Sequence, residues 1–201
     1  MVRRTAEQAA ATRRDLIGAA VVVFGERGFA AATLEQIADR AGVTRGALYH
    51  HFEDKADVYD AVLRGEADRT MRPLMTELAG AGPPLQRLDR FLRSYCSALE
   101  RDPTFRAVLE LLLFTGNDAP KRSRELTARG YRAWLHAFHA VLAEASQRGE
   151  LRAGVTPGTA ARALIALTVG LTTTTLQSPG LFSPSRAAAS VYDVLLRGIA
   201  S

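Results

Sequence analysis

From Thr33 to Phe52 the chain reads Thr-Leu-Glu-Gln-Ile-Ala-Asp-Arg-Ala-Gly-Val-Thr-Arg-Gly-Ala-Leu-Tyr-His-His-Phe, and this is the stretch whose residue types and spacing could do chemistry. Arg45 brings a guanidinium fork that matches the O6 and N7 edge of guanine; its duller alternative is a backbone phosphate. Thr33, Tyr49 and His51, with Lys55 just beyond, offer donors to phosphate oxygens. Thr44 and His50 share the outward side with Arg45 and Tyr49, and Gly46 would let the backbone approach a duplex closely. The chemistry these groups suit is recognition of double-stranded DNA.

Positioning them requires two short helices crossed at close to a right angle. That crossing needs a small residue at the contact, a turn that tolerates positive φ, and apolar residues locking both sides. Ala38 supplies the first, Gly42 the second, and Ile37, Val43 and Leu48 the third. The pattern is a helix-turn-helix whose second helix starts at Thr44, turns Ala47 or Leu48 and Phe52 inward, and is short enough to lie end-on in a major groove. Spacing alone leaves open two surface helices that merely pack together.

Elsewhere strand signals are nearly absent and apolar residues recur at helical period, so the fold class is all-α. About nine helices are expected, near 10–27, 34–41, 44–50, 55–79, 84–101, 103–115, 121–148, 157–177 and 184–199. Their starts carry capping oxygens at Asp54, Asp102, Thr156 and Ser183, the last three followed by proline. Ahead of them an N-terminal arm with Arg3, Arg4, Arg13 and Arg14 could reach a minor groove or flanking phosphates. Arg13-Arg14 before an apolar run imitates a twin-arginine export signal, but Leu16, Ala19, Ala20, Val23 and Phe24 fall on one helical face and Glu26-Arg27 cuts the run short. The uncharged stretch from Ala163 to Ser185 offers only about 15 residues before Pro179-Gly180, short of the ~20 a membrane span needs. No membrane partner is expected.

The 201 residues hold 26 Lys and Arg against 21 Asp and Glu, a net charge of +5, with 47% hydrophobic residues, which excludes whole-chain disorder. Residues 1–55 carry eight basic and seven acidic groups, so charge alone does not mark the DNA-facing part. The lone cysteine, Cys96, forms no internal disulfide, and a reducing cytoplasm is the expected compartment. A Gly-rich phosphate loop, a nucleophile elbow, paired catalytic carboxylates and a metal triad are all missing from the pattern. His136 and His139 lie one turn apart without a third ligand, and His50-His51 point apart on a helix. Neither catalysis nor any cofactor is expected.

The run Thr12-Arg, Ile17, Ala20, Phe24, Gly28-Phe29, Thr33-Leu34, Ile37-Ala38 and Ala41 through Phe52, with Lys55 and Leu63, resembles the N-terminal DNA-binding domain of the TetR family of bacterial transcriptional repressors. That resemblance implies an Ω-shaped helical homodimer bound to an operator palindrome. It divides the chain into a DNA-binding domain over residues 1–54 and an effector-binding and dimerisation domain over 55–201. The stretch Asp102 to Phe114, with Arg148 to Arg152 and Ala160 to Leu171, is similar to the branch that represses multidrug efflux pumps. It departs from several members at Leu109, Leu113 and Val169, where they carry polar or charged residues.

Trp134, Phe138, Val141 and Leu142 form one apolar stripe, and Phe105, Leu109, Leu112 and Leu113 another, patterns that fit a core as well as a pocket. The resemblance makes them pocket walls and implies ligand contacts at Leu109, Leu113, Trp134, Phe138, Val169 and Thr172, with Tyr95 and Cys96. The effector so described is small, bulky and hydrophobic or planar. The eighth and ninth helices are apolar nearly all round and would pair with their symmetry mates in a homodimer, unless both are buried within one subunit. The expected function is a ligand-responsive repressor released from its operator by the effector, possible control of efflux genes included. The alternatives are a DNA-binding architectural protein without sequence preference and, further off, an enzyme acting on a small molecule.

Overall fold

The computed structural model describes residues 6–114, 119–181 and 183–201. Its elements are α1 (Ala6–Ala31), α2 (Leu34–Arg40), α3 (Arg45–Tyr49), α4 (Lys55–Ala79), α5 (Pro84–Arg101), α6 (Pro103–Phe114), α7 (Lys121–Gln147), α8 (Pro157–Gln177), α9 (Pro184–Ala187), a π-helical turn (Ala188–Tyr192) and α10 (Asp193–Ile199). Among the described residues the only extended pairing is an isolated antiparallel bridge between Leu151 and Ala200.

Local chemistry sets most helix starts. Thr33, Thr44, Thr156 and Ser183 each accept the N–H three residues on. Asp54 and Asp102 do the same with carboxylate oxygens, at 2.7 Å to the Asp57 N–H and 3.1 Å to the Phe105 N–H. Such caps are each worth about 1 kcal/mol. Two expectations change. First, α1 begins at Ala6, so Arg13 and Arg14 lie on a helix instead of a loose arm; Arg3 and Arg4 lie outside the described residues. At Gly28 (φ 71°, ψ 168°) α1 breaks, as only glycine readily permits, and adds a last turn to Ala31. Second, the final helix is not continuous but is divided by the π turn.

The chain forms two compact units. One gathers the residues through Asp68 with Ala107–Thr127; the other holds Arg69–Arg106 and the residues from Ala128 on. The division between these units falls within the span of α4. In the first unit Leu16, Ile17, Ala20, Val23 and Phe24 of α1 meet Ile37, Ala38, Leu48, Phe52, Val58, Tyr59 and Val62 in one core. Phe24 and Phe29 both lie edge-on to Tyr59, at 5.2 and 5.0 Å between centroids. The Tyr59 hydroxyl donates to the Leu111 carbonyl at 2.9 Å, which ties α4 to α6. Next to it Asp60, buried on α4, accepts from the Ser123 hydroxyl at 2.5 Å and pairs with Arg122 at the start of α7.

In the second unit α5 buries Leu88, Phe91, Leu92, Tyr95, Cys96 and Leu99. Phe138, Val141 and Leu142 of α7 and Leu164, Thr168, Leu171 and Thr172 of α8 are buried in the same unit, with Phe91 edge-on to Phe138 and the Tyr95 hydroxyl bonded to that of Thr172. Helix α8 is 21 residues long with a hydropathy of 1.2, long and apolar enough by those measures to cross a membrane, yet only a third of that stretch is buried. The helix starts at Pro157, six residues before the uncharged stretch that begins at Ala163, and so is longer than that stretch alone implies. Arg162 interrupts its outer side.

Candidate nucleic-acid interface and effector site

The turn between α2 and α3 is closed by two backbone hydrogen bonds, Val43 N–H to the Ala38 carbonyl at 3.0 Å and Gly42 N–H to the Asp39 carbonyl at 3.1 Å. This reversal needs a left-handed residue, and Gly42 has φ 67°. Ile37, Ala38 and Leu48 are wholly buried across the crossing, so the two helices are fixed in angle. Thr33 and Gln36 form a reciprocal cap: the Thr33 hydroxyl accepts the Gln36 N–H at 3.2 Å and the Gln36 amide oxygen accepts the Thr33 N–H at 3.1 Å. Thr44 caps α3 on the Ala47 N–H at 3.2 Å. Both hydroxyls act there as acceptors, which leaves each proton for an outside acceptor.

With Leu48 and Phe52 inward, Thr44, Arg45, Gly46, Tyr49 and His50 are all exposed, Tyr49 by 51%. His51 is half-buried beside them, and Thr33 is exposed at the start of α2. A Cβ on Gly46 would meet nothing nearer than the Thr44 hydroxyl at 4.0 Å, so nothing in the chain itself requires a glycine there. Lys55 is the exception. Its ammonium donates to the carbonyls of Phe29 (2.7 Å), Ala30 (3.0 Å) and Ala32 (2.9 Å), using all three protons. These bonds make Lys55 a cap on the end of α1, a role separate from the phosphate contact expected of it.

In the second unit Tyr95, Trp134, Phe138 and Thr172 come together. Trp134 is half-buried and edge-on to Tyr95 (5.7 Å) and to Phe91 (6.0 Å), and Phe138 is edge-on to Phe91 (5.3 Å). The Tyr95 hydroxyl lies 2.7 Å from the Thr172 hydroxyl, which donates to the Thr168 carbonyl, also at 2.7 Å. Tyr192, in the π turn, donates to the Thr168 hydroxyl at 3.1 Å. Burial raises the Tyr95 and Tyr192 phenols well above their ordinary range and pushes the Cys96 thiol up to about 12, so all three are neutral hydrogen-bonding groups at physiological pH. Val169 is half-buried on α8. Leu109, buried, and Leu113, half-buried, lie on α6 within the first unit.

Residues 16–62 match the family model described as bacterial regulatory proteins, tetR family, and residues 84–200 match that of the BetI-type transcriptional repressor, C-terminal. The transcriptional repressor BepR of Brucella suis is 36% identical over 176 residues, covering 84% of this chain and 82% of its own. The chain belongs to the tetR family of bacterial regulatory proteins. Of solved tetR-family structures, SmeT, the repressor of the Stenotrophomonas maltophilia multidrug efflux pump SmeDEF, superposes with a TM-score of 0.81 at 31% identity, covering 96% of this chain and 92% of SmeT. The SmeT complex with triclosan gives 0.83 at the same identity, over 95% and 92%. This tetR-family chain is thus a DNA-binding transcriptional regulator of all-helical fold.

Several groups at the site escape a linear reading. Glu35, in the first turn of α2, lies 3.6 Å from an Arg45 Nη1. Arg13 of α1 stacks 5.0 Å over the Phe52 ring, at the edge of the helix-turn-helix. Phe91 joins the aromatic cluster; its spacing of four residues from Tyr95 on one face of α5 was the available signal.

Proposed function

We propose that this chain represses transcription by occupying an operator palindrome as a homodimer and leaves it when a small hydrophobic effector binds. The observation that carries the reading is the sorting of α3: Arg45, Gly46, Tyr49 and His50 stand in solvent while Leu48 and Phe52 anchor the helix from beneath. Arg45 is assigned to base edges, and Thr33, Thr44, Tyr49 and His51 to phosphates, since bases specify and phosphates position.

Dimerisation through α8 and α10 is supported by the surface these helices leave open. Ile165 and Val169 are only half-buried, Ala166 and Gly170 are exposed, and Val194 is exposed by 73%. A second copy would cover this face in water, which is also why we assign α8 to a subunit interface in the cytoplasm and not to a lipid bilayer. Two-fold pairing suits half-sites about 34 Å apart. The effector is assigned to the cluster of Tyr95, Trp134, Phe138 and Thr172, whose aromatic walls and single hydroxyl pair suit a planar apolar molecule with one polar group. Efflux genes as targets rest on likeness to SmeT.

Selection of binding sites from random duplex DNA at fixed, near-physiological salt tests the reading. Enrichment of a two-fold palindrome is expected, with Arg45→Ala lowering affinity for it by roughly 1–3 kcal/mol and leaving random duplex unchanged. Steep salt dependence with no preferred site would replace repression with architectural binding.

A further inference from the structure

Every arginine on the α2–α3 pair carries its own carboxylate. Arg40 meets both oxygens of Glu26 at 3.1 and 3.3 Å, and Arg45 lies 3.6 Å from Glu35, with both members of this second pair about 60% exposed. Glu35 and Asp39 balance Arg40 and Arg45 within α2 and α3, so the two helices carry no net charge between them. We infer that Glu35 is a positioning residue that sets the selectivity of DNA recognition by keeping Arg45 from phosphates; this rests on the operator-binding function proposed above.

The physical asymmetry is between a neutral acceptor and an anionic one. The Glu35 contact uses Nη1 and leaves further guanidinium N–H groups for a two-point contact. A guanine edge is uncharged, so Arg45 can bond to it while Glu35 stays beside the guanidinium. A phosphate is an anion. To reach it, Arg45 must either leave Glu35 or bring two anions together around one cation, and both weaken the complex. Non-specific complexes, which consist of phosphate contacts, are therefore penalised more than the complex with the operator.

The test compares wild type, Glu35→Gln and Glu35→Asp on the selected palindrome and on a random duplex of equal length, each over a range of salt. In Glu35→Gln, random-duplex affinity should rise about threefold, the size an exposed ion pair can supply, while operator affinity stays level or falls. The salt slope on random DNA should steepen by about 0.9, the mark of one added phosphate contact. Glu35→Asp keeps the charge but shortens the reach, and should shift the ratio of the two affinities toward that of Glu35→Gln. Equal gains on both duplexes would reduce Glu35 to general repulsion, and no change on either would make the contact incidental; each overturns the inference. A wild-type chain that prefers no duplex would instead overturn the operator-binding function itself.

Discussion

The ammonium of Lys55 sits 2.7 Å from the carbonyl oxygen of Phe29 and 4.6 Å above the centre of the same residue's ring, so one side chain closes α1 both by hydrogen bonding and through its aromatic face. Three carbonyls at the negative end of a helix, met by a cation, make a C-terminal cap of unusual completeness.

Lys55→Met, which keeps the length and removes the charge, should therefore lower the stability of the DNA-binding unit by about 2 kcal/mol, the loss expected for hydrogen bonds to a charged group. Thermal unfolding reads this directly. Unchanged melting with weaker DNA binding would restore the phosphate role that the sequence suggests.

Gly46→Ala should fold as the wild type does, because the added methyl meets nothing nearer than the Thr44 hydroxyl at 4.0 Å. On the selected operator it should lose tenfold or more in affinity, since the methyl would stand between α3 and the duplex. Titration of labelled operator alongside circular dichroism separates the two effects, and full affinity would mean that α3 does not approach DNA at this point.

Trp134 touches Phe91, Tyr95 and Phe138 edge-on and is only half-buried itself. Trp134→Ala should need at least tenfold more of the small hydrophobic effector proposed above to release the operator, with binding in its absence changed less than twofold. Trp134→Phe keeps most of the packing and guards against misfolding: if it responds as wild type while the alanine variant fails to fold, Trp134 belongs to the core.

Stability should fall in alkali. Cys96, Tyr95 and Tyr192 all have folded-state values raised by burial, so the folded chain holds protons that the unfolded chain gives up. Their contribution is complete well below pH 9, the value at which the unfolded thiol is half ionised, and declines as pH rises toward 12. Urea midpoints measured from pH 8 to 11 should drop along that course, and Tyr192→Phe should flatten the drop above pH 10. A flat wild-type profile would contradict the burial of these groups.

What could be read from the sequence was what neighbours in sequence decide. The caps at Asp54, Asp102, Thr156 and Ser183 act on N–H groups within three residues, and the Gly42 turn on a span of six, so local chemistry located them. Lys55 and Phe29 are 26 residues apart and Asp60 and Ser123 are 63 apart. Those contacts exist only after the core has formed. The outward set on α3 was legible because a five-residue helix with one buried leucine has a single way to face. Glu35 was not, since a charge in the first turn of a helix reads equally well as a favourable dipole partner.

The π turn at Ala188–Tyr192 holds one residue more than the α turn it replaces, which rotates every side chain after it by about 100° relative to a plain helix. Val194 therefore meets solvent at an azimuth that an uninterrupted α-helix would not give it.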